Sequence, residues 1–242
     1  MENGVVENSW PPPSEKTTLE ELRYSGAVRL YLSSFRLGPR PDLFASMAGS
    51  NKRVALVLNA GDLWGSQAHA YRVIEQTEMF AETGMEVTDV DLREYVDRQA
   101  ALERCLRTYG AVWVAGGNTF VLRRAMYDSG FDRIITTMLE DDAIAYGGYS
   151  AGICVLAASL AGLHLVDDPT EVEQAFHRAA IWDGLGILPY TPVPHYQSGH
   201  VESEMVDEVL RYLKSVGVAH KTLRDGEAIV IDGRSETLLQ IA

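Results

Sequence analysis

Residues 143–158 read AIAYGGYSAGICVLAA, and this stretch decides the fold. An apolar run ends in the motif Gly148-Tyr149-Ser150-Ala151-Gly152, and a second apolar run follows the motif directly. A buried strand that turns through Gly-x-Ser-x-Gly into a helix is a nucleophile elbow, because small flanking residues let the serine occupy a strained turn with its hydroxyl exposed. The pattern therefore predicts a strand, a sharp turn and a helix over residues 153–158. It makes Ser150 a candidate nucleophile.

Apolar, β-rich runs alternate with stretches of helical period on both sides of this motif. The predicted strands are residues 28–32, 54–58, 86–90, 111–115, 143–146, 191–193, 228–231 and 237–240. The predicted helices are residues 68–82, 94–109, 120–127, a further helix to about residue 139, and 203–215. This order predicts parallel strands joined by right-handed crossovers. Strands 54–58 and 111–115 are apolar on both faces, so helices should cover both sides of the sheet. We expect an α/β fold, a three-layer sandwich with a mostly parallel central sheet.

The length and composition fit one globular domain. The chain has 242 residues, of which 46% are hydrophobic and 23% charged, enough to bury a full core. Residues 1–25 contain three consecutive prolines and polar flanks, and we expect an N-terminal extension that is poorly ordered or docked on a partner. The catalytic domain is then residues 26–242.

Charge and cysteine content exclude several classes of function. The net charge is −13 and no basic stripe interleaved with aromatic residues occurs, so a nucleic acid partner is not expected. No apolar run reaches the ~20 residues that span a bilayer, and the N-terminus has no signal-peptide pattern. We expect a cytoplasmic protein without a membrane partner. Cys105 and Cys154 have no metal-ligand or disulfide spacing, so neither a metal nor another cofactor is predicted.

A catalytic serine needs amide donors that stabilise the oxyanion formed during acyl transfer. Residues 116–120 read GGNTF between a buried strand and a helix, and glycines there can present backbone N–H groups without side chains in the way. We assign the oxyanion hole to the N–H groups of Gly117 and Ala151. Asn118 can cap the following helix, and it is also a candidate substrate-binding residue.

The serine also needs a general base and an acid that orients it. Six histidines are available, and the segment Pro192–His200, stiffened by two prolines, favours His195, with His200 as the alternative. The acid is Asp225 or Glu227 in the turn before a late strand, or Asp167 or Asp168 after the elbow helix. Sequence spacing does not choose among these carboxylates.

The ordered set of these motifs resembles the peptidase E family of serine peptidases, which are aspartyl dipeptidases related to cyanophycinase. The set is GGNTF at 116–120, GYSAG at 148–152, Pro194-His195 with nearby Gly199-His200, and LRDG at 223–226. The resemblance runs from about residue 28 to 231 and implies a fold like the class I glutamine amidotransferases, with serine in place of cysteine at the elbow. It implies Ser150 as nucleophile, His195 as base, Gly117 and Ala151 as oxyanion donors, and Asp225 at the position of the triad acid. An alternative family assignment places the acid after the elbow helix, at Asp167 or Asp168.

One position departs from the family pattern. The family has an arginine in the helix after the Gly-His pair, implied to bind the aspartate side chain of the substrate, and Met205 occupies the matching position. Met205 and His200 are therefore candidate substrate-binding residues, and without the guanidinium a preference for N-terminal aspartate is not expected.

These observations predict a serine peptidase that cleaves short peptides, as a dipeptidase or exopeptidase, through an acyl-enzyme on Ser150. The partner is then a short peptide substrate, and a homodimer is possible. An amidase or cyanophycinase-like hydrolase is the alternative enzyme, although glutaminases of this fold use cysteine rather than serine. A catalytically silent binding protein of the same fold is the alternative outside enzymes.

Overall fold

The computed structural model describes residues 28–240, and the extension predicted for residues 1–25 lies outside them. The strands are β1 (Arg29–Ser33), β2 (Arg53–Val57), β3 (Glu86–Asp89), β4 (Ala111–Val114), β5 (Ala145–Tyr149), β6 (Thr191–Val193), β7 (His220–Thr222), β8 (Ala228–Asp232) and β9 (Ser235–Leu239). Seven of them form a mixed sheet in the order β3-β2-β4-β5-β1-β8-β9. The five strands from β3 to β1 are parallel, while β8 and β9 are antiparallel to their neighbours. The prediction of a mostly parallel sheet is confirmed.

Helices cover both faces of this sheet. They are α1 (Pro41–Met47), α2 (Gly65–Phe80), α3 (Gln99–Leu106), α4 (Thr119–Ser129), α5 (Phe131–Glu140), α6 (Ala151–Cys154), α7 (Glu171–Phe176) and α8 (Ser203–Ser215). On one face, Trp113 of β4 packs with Phe44 of α1 and Phe80 of α2. On the other, alternate residues of β4 join the core with α3, α4 and α5. The molecule is therefore the three-layer α/β sandwich that the two-faced apolar strands predict. No helix within residues 28–240 is long and apolar enough to cross a membrane.

Some helix predictions are wrong. The predicted helix after the elbow is the single turn α6, because the carbonyl groups of Val155, Leu156 and Ala157 accept N–H groups from residues 185, 188 and 186 rather than continuing a helix. The predicted helix 94–109 is split into a 3₁₀ turn at Leu92–Tyr95 and α3, with Asp97 between them at φ 59°. Helices α1 and α7 and strand β7 were not predicted.

The topology brings several loops to one edge of the sheet. Because β1, β4 and β5 are parallel, the residues that follow them, Ser34, Gly116 and Ser150, meet at their shared carboxyl ends. Strands β6 and β7 form a separate parallel pair in which Val193 faces Thr222. The loops that leave this pair carry His195 and Asp225, so the small sheet brings the ends of two distant segments together.

Candidate active site

Ser150 occupies a strained turn between β5 and α6. Its backbone has φ 52° and ψ −121°, a conformation that costs a non-glycine residue on the order of 1–3 kcal/mol. The flanking glycines allow the elbow to press against β4, since a Cβ at Gly148 or Gly152 would lie 2.6 or 2.1 Å from the carbonyl oxygen of Val114. The Gly-x-Ser-x-Gly motif is thus required by backbone packing, and it leaves Ser150 half-buried at the sheet edge.

The loop after β4 lies directly against Ser150. A Cβ at Gly116 would be 2.8 Å from the Ser150 Cβ, so only glycine fits beside the serine. Gly117 has φ 141°, and a Cβ there would be 2.6 Å from the carbonyl oxygen of Ala60. Gly116 is therefore needed for the close approach of this loop to Ser150, and Gly117 for its close approach to Ala60.

Asn118 caps α4. Its Oδ1 accepts the N–H groups of Phe120 and Val121 at 2.9 and 3.2 Å, and its Nδ2 donates to the carbonyl oxygen of Asp168 and to Glu171. The capping expected from the sequence is present. Because both the oxygen and the nitrogen of the amide form hydrogen bonds within the protein, the Asn118 side chain is not available to bind a substrate.

His195 and Asp225 form a hydrogen-bonded pair, with His195 Nδ1 2.8 Å from Asp225 Oδ1. A carboxylate only accepts hydrogen bonds, so Nδ1 carries the proton and Nε2 has a free lone pair. In the described part of the chain, neither Asp167, Asp168 nor Glu227 forms a hydrogen bond or an ion pair with His195.

Two serines that sequence reasoning missed hold this pair in place. The Ser34 hydroxyl donates to Asp225 Oδ1 at 2.8 Å and accepts the backbone N–H of His195 at 2.9 Å. Ser198 Oγ accepts the N–H of Asp225 at 2.8 Å. The available signal for Ser34 was its position directly after a buried strand, at the carboxyl edge where functional loops gather.

The surroundings of His195 favour the neutral imidazole. Burial, and then the neighbouring His200, lower the pKa of His195, although Asp225 acts in the opposite direction. Among residues 28–240 no group hydrogen-bonds the buried Nε2 of His195. A neutral ring with a free, shielded Nε2 can take a proton from a serine hydroxyl.

His200 and Glu202 flank the face of His195. The rings of His195 and His200 stack 3.8 Å apart and nearly parallel, at 14°. The Glu202 carboxylate lies 3.8 Å from both His195 Nε2 and His200 Nδ1, and burial raises the pKa of Glu202. These three side chains are the candidate metal ligands of the described region, but imidazole lone pairs lie in the ring plane, so parallel stacked rings do not converge on one ion.

Of the remaining predicted residues, Asp167 lines a cavity beside Ser150, whereas Asp168 and Met205 do not. Asp167 lines a pocket with Ser150, accepts the N–H of Thr119 at 2.9 Å, and has its pKa raised by burial to about 7. Asp168 is exposed and caps Thr170. Met205 lies in the first turn of α8 with 36% of its surface exposed, and it is absent from the linings of the cavities beside Ser150.

Two cavities meet at Ser150, and His195 and Glu202 line both. The inner pocket, of about 30 Å³, has mainly apolar walls and contains Asp167 and Cys154. Burial raises the pKa of the Cys154 thiol, which makes it an unreactive packing group. The open cleft, of about 250 Å³, is bounded by Gly116, Gly117, Trp64 and Arg72.

Helix α2 also reaches the site, which sequence reasoning missed. Arg72 donates to the carbonyl oxygen of Gly116 at 3.2 Å and to the Tyr149 hydroxyl at 2.7 Å. In a trans peptide the C=O and N–H point in opposite directions, so the Gly116 contact directs the N–H of Gly117 away from Arg72. Arg72 therefore links the residue before Ser150 to the proposed oxyanion loop.

Comparison with protein families and curated sequences identifies relatives. The sequence model of Peptidase family S51 matches residues 37–239. The "Probable alpha-aspartyl dipeptidase" of Drosophila melanogaster is 29% identical over 146 residues, which cover 57% of this chain and 56% of that protein. The "Uncharacterized peptidase Lin0382" of Listeria innocua is 29% identical over 151 residues, which cover 61% of this chain and 66% of that protein. The chain thus spans less than two thirds of either relative.

Two solved structures have the same fold. One is a "Putative Peptidase E Protein" from Listeria monocytogenes EGD-e, with a TM-score of 0.70 and 21% identity, covering 89% of this chain and 99% of that chain. The other is a peptidase from an acI-B1 Actinobacterium, with a TM-score of 0.64 and 13% identity, covering 89% of this chain and 95% of that chain. At these identities the likeness shows the fold alone, which is of the flavodoxin-like, class I glutamine amidotransferase-like type.

Proposed function

This chain belongs to peptidase family S51, and from that premise we propose that it is a serine peptidase that hydrolyses short peptides, as a dipeptidase or exopeptidase. The observation that carries the proposal is that a serine at a strained elbow and a histidine paired with a carboxylate line the same two cavities. Ser150 occupies a strained elbow, and Asp225 orients His195, whose pKa is lowered by burial. No group within residues 28–240 hydrogen-bonds His195 Nε2.

In the proposed reaction, Ser150 Oγ attacks the carbonyl carbon of the scissile peptide bond while its proton passes to His195 Nε2. The N–H groups of Gly117 and Ala151 stabilise the resulting oxyanion. The C–N bond then breaks, and the His195 proton goes to the leaving amine, which leaves an ester on Ser150.

A water molecule then attacks the ester, and its proton passes to His195 Nε2. The C–O bond to Ser150 breaks, and the proton returns from His195 to Ser150 Oγ. Throughout the cycle Asp225 holds Nδ1–H and stabilises the imidazolium that forms twice. Ser34 orients both members of this pair through its two hydrogen bonds.

The experiment is hydrolysis of a dipeptide panel together with labelling by a fluorophosphonate probe. We expect the Ser150→Ala variant to lose labelling and to turn over peptides ~10⁴-fold or more slowly, because it lacks the group that forms the acyl intermediate. The matched control is Ser215→Ala, an exposed serine at the end of α8, which should behave as the wild type. Near-wild-type hydrolysis by Ser150→Ala would refute the serine mechanism. A wild-type protein that neither reacts with the probe nor cleaves any peptide would favour a silent binding protein.

A further inference from the structure

Arg72 is a half-buried cation of the open cleft, and it has no acidic partner within residues 28–240. Other shielded arginines pair with carboxylates: Arg123 with Asp132 at 3.0 Å and Arg124 with Asp128 at 2.5 Å. Arg36, which lines the same cleft, pairs with Glu75 at 3.0 Å. Arg72 forms no such ion pair within residues 28–240, although the chain carries 34 acidic residues against 21 basic ones.

Neutral groups hold the Arg72 guanidinium in place. It donates to the Gly116 carbonyl and the Tyr149 hydroxyl, and it lies 4.5 Å from the ring centre of Trp64. A guanidinium has five N–H donors in a rigid fork, so these contacts fix its orientation while leaving donors and a full positive charge in the cleft. Charges removed from water without a partner are costly, so such a group favours an anionic ligand.

We propose that Arg72 binds a carboxylate of the peptide substrate. The inference rests on the proposed function, because the ligand is the peptide that Ser150 would cleave. A carboxylate matches the fork of a guanidinium through two parallel N–H···O bonds, and the exposed Trp64 ring beneath Arg72 limits the freedom of the guanidinium in that position. The site would favour peptides with a negative charge next to the scissile bond.

Two substrate carboxylates can reach this position. In a dipeptide, the C-terminal carboxylate carbon and the side-chain carboxyl carbon of an N-terminal aspartate are each three bonds from the scissile carbonyl carbon, within about 4 Å. The charges on the other side of Ser150 favour the C-terminal group. Glu202 lines both cavities, but Asp167 lines only the inner pocket, and Arg36 and Arg72 line only the open cleft. A positive N-terminus therefore fits the inner side and the C-terminal carboxylate fits the side of Arg72.

The experiment compares matched substrate pairs in the wild type, Arg72→Gln and Arg36→Gln. The first pair is Ala-Leu and Ala-Leu-amide, and the second is Asp-Leu-amide and Asn-Leu-amide. The measured quantity is the ratio of kcat/KM within each pair, because Arg72→Gln also removes the Gly116 contact and should slow all substrates alike. We expect the acid-to-amide ratio to fall about tenfold or more in Arg72→Gln. Arg36→Gln also removes a positive charge from this cleft, but that charge is already paired with Glu75. It should therefore change the ratio less than about threefold.

Each outcome decides the proposal. A fall in the first ratio supports the C-terminal carboxylate, and a fall in the second supports the side-chain carboxylate. If both ratios are unchanged in Arg72→Gln, Arg72 only holds the Gly116 loop in place and the proposal is wrong. If Arg36→Gln lowers the ratios as much as Arg72→Gln does, the effect is a general effect of charge and the proposal is also wrong.

A binding measurement separates this inference from the proposed function. Calorimetric titration of Ser150→Ala and of Ser150→Ala/Arg72→Gln with the same substrate pairs needs no hydrolysis. If the preference for a carboxylate is present in the first protein and lost in the second, Arg72 binds carboxylates even if the wild type proves not to be a peptidase. Peptide hydrolysis without any Arg72-dependent preference would leave the proposed function intact and overturn this inference.

Discussion

Two imidazole rings stack beside Ser150, but their other contacts differ. His195 has Asp225 at 2.8 Å behind it and a free Nε2, whereas His200 Nδ1 accepts the backbone N–H of Glu202 at 3.3 Å. We therefore expect His195→Ala to abolish labelling by the fluorophosphonate probe, and His200→Ala to leave measurable labelling. The reverse result would assign the base to His200 and the stacked His195 to a packing role.

Asp225, the carboxylate that pairs with His195, gives the next prediction for a single residue. Asp225→Asn keeps the shape of the side chain but weakens the support of the imidazolium, so we expect kcat to fall between about 10²- and 10⁴-fold. Asp167→Asn and Asp168→Asn should have smaller effects, because neither residue contacts His195 in the described structure. Steady-state kinetics of the three purified variants measures this. A larger loss in Asp167→Asn would move the triad acid to the segment after α6.

Asp167 should also make stability depend on pH. Burial raises its pKa from 3.8 to about 7, so between those values the folded protein holds a proton that the unfolded chain has released. Stability therefore falls as pH rises through this window. Asp167→Asn removes the penalty, so its free energy of unfolding relative to wild type should increase from pH 4 to pH 7 and then level off, by at most about 4 kcal/mol.

Denaturant unfolding of both proteins at several pH values measures this difference. Asp168→Asn is the matched control, because hydrogen bonds from Thr170 lower rather than raise the pKa of the exposed Asp168. A stability difference between Asp167→Asn and wild type that does not vary with pH would show that Asp167 is ionised at no cost in the folded protein.

At the scale of single elements, the first turn of α8 bears on substrate choice. Met205 lies there outside the linings of the two cavities beside Ser150 and carries no positive charge. An N-terminal aspartate whose side chain turns toward α8 would leave a partly desolvated carboxylate unpaired, at a cost of ~1–3 kcal/mol or more. We expect the wild type to cleave Ala-Leu and Leu-Leu at least as well as Asp-Leu, measured as kcat/KM. Met205→Arg should raise the ratio of Asp-Leu to Ala-Leu cleavage. A strong wild-type preference for Asp-Leu would mean that another cation, such as Arg72, receives the side chain.

The small β6–β7 sheet shows how short elements create a site. Each strand has three residues, and their parallel pairing aligns the loops that carry His195 and Asp225. The N–H of Tyr196 donates to the carbonyl oxygen of Leu223 at 3.0 Å, which continues the pairing beyond the strands. Backbone hydrogen bonds thus align the two loops, and the hydroxyl groups of Ser34 and Ser198 then fix the imidazole and the carboxylate within them.

At the scale of the whole molecule, the proposed site depends on segments far apart in the chain. Ser34 and Asp225, which share a hydrogen bond, are separated by 191 positions, and Gly117, Ser150 and His195 come from three further loops. A site assembled in this way needs the complete sheet. We therefore expect probe labelling of Ser150 and the circular dichroism signal to be lost together in urea, with coincident midpoints. Loss of labelling at clearly lower urea would show that the site opens locally before the sheet unfolds.

The sequence by itself determined the parts of this protein that depend on neighbouring residues. Strand β5, the turn at Ser150 and the glycines around it can be predicted because a strained elbow permits few residue types within five positions. The alternation of two-faced apolar strands and amphipathic helices likewise predicts the three-layer sandwich, since each element must bury its apolar surface against the next. The cap at Asn118 follows from the same local rules.

Only the tertiary structure decided which distant groups meet. Spacing alone did not distinguish Asp225, Glu227, Asp167 and Asp168 as the carboxylate that supports the base, because it carries no information about which loops share a sheet edge. Only the family resemblance favoured Asp225. The pairing of β6 with β7 brings Asp225 Oδ1 to 2.8 Å from His195 Nδ1. Ser34 contacts the His195–Asp225 pair, and Glu202 and Arg72 line the cleft. These three residues come from three other segments, and no local motif marks them. Their positions follow from strand order and helix packing, which depend on the free energy of the whole fold rather than on any one segment.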